Sequence, residues 1–454
     1  MPVLSRTSAA PSYSPGKLRV LHLAAIIFLT VSGGPYGLEA LFRYAGTHGA
    51  LLLLLITPLL WDVPTILTVL ELNSLMPITG GYYQWVKHAL GIRWAFFEGW
   101  WTWLYTFVDL AIYPVLFVSY AAFFFPAIAA YKIVVCLAII WSSAILNILG
   151  IVPVGRASLV LGAAVLTPFL AVFFLLVGGH HGSFTVPAPS IKGLDFSALS
   201  MGLYTVMWNF VGWDNATTYA GEVNRPARSY VISVSIAFGL VMGVYILAAL
   251  AVHNSGIVPA SFNDGDFPRL GQMMGGYWLG ALLAAGGMAS GIGLYSAVLL
   301  SVSRVPQVMA DDRLLPSWLC KHHARYGTPY VSIIASSVVV SILIVLTFSD
   351  LVVMDITLYG AGLALEFIAL LVLRIKEPLR ERPFKIPLNN TGLLLMILLP
   401  MAVYITALAG AIHSSEGIAP TVIFALVMLF SAEGVWRLIL WRNPELSGTS
   451  ASNN

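Results

Sequence analysis

Ser32-Gly33-Gly34-Pro35-Tyr36-Gly37 and Phe210-Val211-Gly212-Trp213-Asp214 decide how this chain folds. Each interrupts a long stretch of Leu, Val, Ile, Ala and aromatic residues. A helix broken inside a bilayer exposes backbone N–H and C=O groups, and hydrocarbon penalises each by several kcal/mol. The break survives where those groups meet something polar. Amides at a half-helix start suit anions, and carbonyls at a half-helix end suit cations. Gly33, Gly34 and Gly37 permit the irregular backbone, and Pro35 removes one more donor. A single Gly cluster also serves close helix packing. Two clusters at the first and sixth apolar stretches imply a transport site at the breaks.

The rest of the composition agrees. Of 454 residues, 59% are hydrophobic and 9% charged, against about 25% charged in soluble proteins. Too few charges exist to clothe a soluble all-α core, so the chain reads as an all-α integral membrane protein. Twelve spans are expected: 20–45, 49–76, 93–126, 131–150, 155–178, 196–221, 229–254, 276–309, 329–348, 351–375, 391–412 and 418–441. About 20 helical residues cross roughly 30 Å of hydrocarbon. Spans one to five (17–178) and six to ten (196–375) form two units. Five is odd, so the second unit starts on the other face and the pair is inverted. Spans eleven and twelve (391–441) follow, and residues 1–16 and 442–454 read as flexible tails.

Basic residues set the orientation. Lys17, Arg19, Lys87, Arg93, Arg156, Arg225, Arg228, Arg304, Arg313, Lys321, Arg325, Arg374, Lys376, Arg380, Arg382, Lys385, Arg437 and Arg442 fall on one side. The other side holds Arg43, Lys132, Lys192 and Arg269. Both termini are therefore expected in the cytoplasm of a multi-pass cell-membrane protein. No cleavable signal peptide is expected. Cys136 and Cys320 are expected unpaired. The His180-His181 and His322-His323 pairs lack metal-ligand spacing, so neither a metal nor a cofactor is expected. An enzyme would need such a constellation. The basic residues follow the membrane rule, so no nucleic-acid partner is implied.

Acidic residues within spans mark pathways more often than structure. Glu39 lies past the first break. Asp62 and Glu71 are in span two, Glu98 and Asp109 in span three, Asp214 after the second break, and Asp355 and Glu366 in span ten. Asp109 and Asp214 lack a basic residue at their depth. Each is a counter-charge for a cation, a proton carrier or a structural hydrogen-bonding group. Glu71 reads as structural, and Glu222 as an ionic link near Arg225 and Arg228. Tyr36, Trp208 and Trp213 bring aromatic faces that attract ammonium groups. Trp100, Trp101 and Trp103 read as an interfacial belt.

The chain resembles the amino acid–polyamine–organocation superfamily across all twelve spans. Ser32 through Glu39 matches its first-helix pattern. Pro77-Ile78-Thr79-Gly80-Gly81-Tyr82 matches the exit of span two. Asp311 through Pro316 and Arg325-Tyr326-Gly327-Thr328-Pro329 match the loop after span eight, and Arg382-Pro383-Phe384-Lys385-Ile386-Pro387 that before span eleven. Gly99-Trp100-Trp101-Thr102-Trp103-Leu104 through Val108-Asp109 to Phe117, and Trp213-Asp214-Asn215 through Val223, are most similar to plant polyamine uptake transporters and bacterial relatives. There are departures. The plant Pro-Glu-Asn-Gly-Gly reads here Pro77-Ile78-Thr79-Gly80-Gly81. The plant Asn-Leu-Asn-Tyr-Trp-Asp reads Asn209-Phe210-Val211-Gly212-Trp213-Asp214, where Gly212 resembles the amino-acid branches.

The resemblance implies a LeuT-like inverted five-plus-five fold and uptake by alternating access. Substrate-binding residues expected from it and from the breaks are Gly33, Gly34, Tyr36, Glu39, Asp109, Trp208, Gly212 and Trp213. Related arginine–agmatine exchangers imply a gate role for Trp208 and a coupling role for Asp214. The expected substrate is a polyamine such as putrescine or spermidine, with proton symport and with sodium left open. The rival is a cationic or neutral amino acid, its carboxylate on the amides near Gly33 and Gly34. No obligate partner subunit is expected.

Overall fold

The computed structural model describes residues 18–178, 184–345, 348–413 and 419–447. Lys17, the first tail, His180-His181 and residues 448–454 lie outside them. The described chain is helical, with no strand beyond two isolated bridges. Helix α1, Val20–Val31, ends at the first break. Helix α2, Glu39–Thr57, resumes the chain and turns sharply at Gly46 (φ 61°). A π-turn at Pro58–Asp62 leads into α3, Val63–Leu75. Pro64 has no N–H to give the α-helical bond, so the turn widens to an i→i+5 bond from Val63 to Pro58. A short amphipathic helix, α4 (Gly81–Leu90), follows. Then come α5 (Ile92–Ala121), α6 (Lys132–Ile148) and α7 (Ile151–Val177).

Helix α8, Phe196–Trp208, starts on an Asp195 cap whose carboxylate accepts the Ala198 N–H at 2.7 Å. It ends at the second break, and only short 3₁₀ turns at Asn215–Thr218 and Ala220–Glu222 follow. The remaining helices are α9 (Pro226–Asn254), α10 (Phe267–Gly275), α11 (Tyr277–Val302), α12 (Arg304–Asp311), α13 (Tyr330–Leu343), α14 (Phe348–Lys376), α15 (Asn390–Ile412) and α16 (Ala419–Arg442). Among the described residues nine helices are long and apolar enough to cross a membrane, while Val20–Val31 and Tyr330–Leu343 are shorter apolar helices.

The packing pairs up as two copies of one unit would. Helix α1 packs on α9, and α8 packs on α2. Helix α1 also packs on α7, and α8 on α14. Helix α5 packs on α14, and α11 on α7. The apolar cores of α5 and α11 are the most enclosed of the long helices, as expected for the central members of each unit. Trp100 and Trp101 of α5 are fasteners rather than a lipid belt. Trp100 Nε1 donates to Ser431 Oγ and Trp101 Nε1 to the Leu429 carbonyl, both at 2.9 Å, on α16.

The basic end is closed by polar contacts. Leu18 N–H donates to the Glu222 carbonyl at 3.1 Å, and Gly80 N–H to the Thr218 carbonyl at 2.8 Å. The Glu222 carboxylate pairs with Arg304 at 3.1 Å. The ionic link expected near Arg225 and Arg228 thus forms with α12, because the chain reverses at Arg225 (φ 47°) and the start of α12 supplies the guanidinium. Glu71 is structural as expected. Arg374 Nε and an η-nitrogen contact its two oxygens at 2.5 and 2.6 Å, Arg382 Nε lies at 3.3 Å, and the Ile386 N–H donates at 2.8 Å. This network fastens the Arg382–Pro387 loop to α3. On the exposed side of that loop, Arg380 and His88 hold the Glu377 carboxyl below its usual range.

Candidate substrate-binding site

Helix α1 runs into the interior and stops at Val31. Helix α8 enters from the opposite end and stops at Trp208. Two helix C-termini therefore point into one place, each carrying about half a negative charge. The Tyr245 hydroxyl of α9 lies 2.7 Å from both Ser32 Oγ and the Asn209 carbonyl oxygen, joining the two breaks. Gly212 sits at φ 98° against the Thr30 carbonyl, where an added Cβ would meet that oxygen at 3.4 Å and Asn215 Nδ2 at 3.0 Å. Glycine is required there by both backbone and space.

Between the helix ends is a cavity with only about 10 Å³ of room for water, lined by Thr30, Ser32, Asp109, Tyr113, Trp208 and Asn209 among others. Asp109 is buried and presents the one carboxylate of this lining. Tyr113, one turn along α5, donates to its Oδ2 at 2.5 Å, and Trp208 Nε1 approaches Oδ1 at 3.4 Å. The lining includes no basic side chain. A carboxylate plus two helix C-termini make a place for a cation.

Trp208 forms the wall between this cavity and a second one, also about 10 Å³, lined by Gly37, Tyr44, Tyr204 and Phe348. The Phe348 ring meets it edge-on at 5.4 Å. Gly37 (φ 98°) lies beneath the indole, where an added Cβ would come within 2.6 Å of Trp208 Cζ3. Gly37→Ala is expected to displace Trp208 and cut the transport rate about tenfold or more, from a backbone cost of roughly 1–2 kcal/mol plus the clash. Initial rates alongside detergent thermal stability separate a displaced indole from a lost fold.

The structure sorts the expected residues. Asp109 and Trp208 share the cavity, and Gly33, Gly34 and Gly212 shape the breaks behind it. Tyr36 is elsewhere, packed on Tyr120, Phe169 and Phe267 with centroids at 4.9, 5.6 and 6.0 Å. Glu39 is also elsewhere and already engaged. It accepts the Gly37 N–H at 2.7 Å, the Gly265 N–H at 3.2 Å and the Tyr120 hydroxyl. Trp213 donates from Nε1 to Asp62 Oδ1, in the π-turn, at 3.0 Å. Asp214 lies below the cavity and accepts the Tyr359 hydroxyl at 2.8 Å. Thr30, Tyr113, Asn209 and Tyr245 were missed as site residues. The Asp109–Tyr113 spacing of four could have identified Tyr113, whereas nothing local marks Tyr245. Among the described residues, no group of three or more His, Cys, Asp or Glu side chains is placed to hold a metal ion.

The chain has known relatives. The sequence profile described as "Amino acid permease" matches residues 18–430. A protein named "Probable polyamine transporter" from Arabidopsis thaliana is 35% identical, covering 88% of this chain and 83% of its own length. Polyamine transporter RMV1 of the same plant is 33% identical over 87% and 82%. Polyamine transporter PUT1 of Oryza sativa subsp. japonica is 32% identical over 87% and 75%. The crystal structure of MhsT in complex with L-phenylalanine superposes with a TM-score of 0.65 over 87% of this chain and 99% of that one, at 14% identity, which bears on fold alone. With its two broken helices meeting at a closed central cavity, the chain belongs to the amino acid permease family of the amino acid–polyamine–organocation superfamily, as a membrane transporter related to the polyamine-type permeases.

Proposed function

We propose that this protein imports a di- or polyamine such as putrescine across the cell membrane by alternating access, coupled to protons. The observation that carries the reading is the convergence of Asp109 with the C-termini of α1 and α8 in one cavity lacking a basic side chain. An ammonium group satisfies all three. The names of the plant relatives point the same way.

The rival amino-acid reading needs free amides for a carboxylate. Here the Gly33 N–H donates to the Phe28 carbonyl at 3.0 Å, the Gly34 N–H to Ser32 Oγ at 3.0 Å, and the Gly37 N–H to Glu39. The start of α2, where an anion would be favoured, already carries the Glu39 carboxylate. A zwitterion would lose those bonds and meet that charge.

We further read the chain as twelve crossings in two inverted sets of five plus two. The broken α1–α2 and α8 segments and the short α13 supply the crossings that length alone does not count. The basic end then faces the cytoplasm, with both termini. Trp208 and Phe348 close the outer side, and the Arg304–Glu222 pair closes the inner. Asp214 carries the coupling proton. Each charge entering through 100 mV gains about 2.3 kcal/mol, so a dication is concentrated by potential alone.

The test is uptake of labelled putrescine into proteoliposomes with an inside-negative potential, in competition with arginine and leucine. Saturable uptake that putrescine and spermidine inhibit far better than either amino acid supports the reading. Transport of leucine or arginine without putrescine would overturn it.

A further inference from the structure

Helices α5 and α14 run antiparallel and meet along a face whose chemistry repeats. On α5 the face carries Asp109, Tyr105, Thr102 and Glu98, and on α14 it carries Asp355, Tyr359, Gly362 and Glu366. Both sets step by four, three and four residues, which keeps them on one side of a helix. The rungs oppose one another. Asp355 and Asp109 interact electrostatically. The Tyr105 and Tyr359 rings meet edge-on at 5.2 Å. Glu98 Oε1 lies 3.1 Å from where a Cβ on Gly362 would stand. Glu98 and Glu366 interact at the lower end. The second break enters from the side. The Tyr359 hydroxyl donates to Asp214 and the Tyr105 hydroxyl to Asn215 Oδ1, both at 2.8 Å, and Glu366 is in hydrogen-bond contact with Asp214. Eleven residues separate Asp109 from Glu98, about 16 Å of helix.

Several of these carboxyl oxygens have no donor. Both oxygens of Asp355, Oε2 of Glu98 and Oε2 of Glu366 are buried and without a hydrogen-bond partner. Asp355 is 0% exposed, and Glu98 and Glu366 are each 1% exposed. The titratable groups facing them are Tyr82 from α4, Tyr105, Asp109 and Tyr113 from α5, Asp214 from the break, and Tyr359 from α14. None of these is basic. Carboxylates in such surroundings need bound positive charge.

The geometry selects a proton. The edge contact of Tyr105 with Tyr359 closes the seam to an amine chain, while the Tyr359 hydroxyl stands between the unpartnered Asp355 carboxyl one turn away on α14 and Asp214, to which it donates. The amine has room elsewhere. A cavity of about 180 Å³ at the basic end, bounded by Thr79, Gly150, Glu222, Arg304 and Tyr326 among others, has no lining residue on α5 or α14. We infer that the α5–α14 seam is a proton path, separate from the amine's route, joining Asp109 and Asp355 at the substrate cavity to a lower proton-holding cluster of Glu98, Asp214 and Glu366. The transfer that balances runs through Tyr359: once the Asp355 side chain turns to its hydroxyl, Asp355 passes a proton to that oxygen as the hydroxyl's own proton moves to Asp214, so no heavy-atom bond changes. The inference rests on the proton-coupled amine transport proposed above.

The test pairs two assays on reconstituted protein. A one-unit pH gradient, acid outside, adds about tenfold accumulation of labelled putrescine per coupled proton. Counterflow against internal unlabelled putrescine needs no gradient. In the double variant Glu98→Gln, Glu366→Gln the pH-driven accumulation is expected to vanish, about a tenfold loss, while counterflow persists. Glu366→Asp, which retains the carboxyl, is expected to keep pH-driven accumulation. A double variant that accumulates like the native protein overturns the seam alone. Loss of counterflow in both the double variant and Glu366→Asp assigns the cluster to folding and also overturns it. A native protein that counterflows putrescine yet ignores the gradient overturns proton coupling itself, and the seam with it.

Discussion

Asp109→Asn is expected to lower putrescine uptake at subsaturating concentration by about 100-fold or more. The substitution preserves size and keeps an acceptor for the Tyr113 hydroxyl, so packing around the cavity stays intact. What it removes is the one full negative charge among the lining residues. The C-termini of α1 and α8 remain, but each offers only about half a charge, screened by its own carbonyl geometry. Truncating one partner of a buried charged contact costs about 2–5 kcal/mol, and 1.4 kcal/mol is tenfold. Initial-rate uptake over a range of putrescine concentrations checks this, and the loss should fall on apparent affinity first. Uptake unchanged in the variant would remove Asp109 from the amine site.

Glu71→Ala is expected to destabilise the folded protein by about 3–5 kcal/mol, more than any cavity-lining change. Removing one member of a buried ion pair strands the other. Here it would strand two guanidinium groups, Arg374 and Arg382, and free the Ile386 N–H. The Arg382–Pro387 loop would lose its attachment to α3. Thermal unfolding in detergent measures the loss. The paired change Glu71→Leu, Arg374→Leu is expected to recover only part of it, because one guanidinium, Arg382, is then stranded instead of two, and because Arg374 also holds the Ile386 and Leu388 carbonyls at 2.8 and 3.1 Å. A single variant as stable as the native protein would show that the network adds nothing.

Much of the architecture was readable because the bilayer permits few solutions. Hydrophobic runs had to be helices, and Gly clusters at corresponding places in two of them pointed to breaks rather than close packing. Asp109 and Trp208 were legible for the same reason, as a charge without a counter-charge and an aromatic too deep for an interface. Glu39 and Tyr36 were not. Their sequence position beside the break is right, yet side-chain direction on a short irregular segment is set by distant partners, Tyr120 on α5 and Gly265 before α10. The Arg304–Glu222 pair was hidden likewise, since 82 residues separate its members and nearer arginines offered a plausible alternative. The α5–α14 seam was present as two matching four-three-four patterns. Only the packing of the helices shows that they face each other.

The Tyr245 hydroxyl has a further consequence. It touches Ser32 and the Asn209 carbonyl at once, so the two carbonyl-bearing ends are held as one object. While that latch holds, the two helix ends contribute the same attraction to a bound ammonium whichever face of the membrane the cavity opens toward. A carrier with equal affinity on its two faces has no built-in direction. Under the proposed coupling, the direction of net flux is then set by the voltage and proton gradients across the membrane rather than by the binding site.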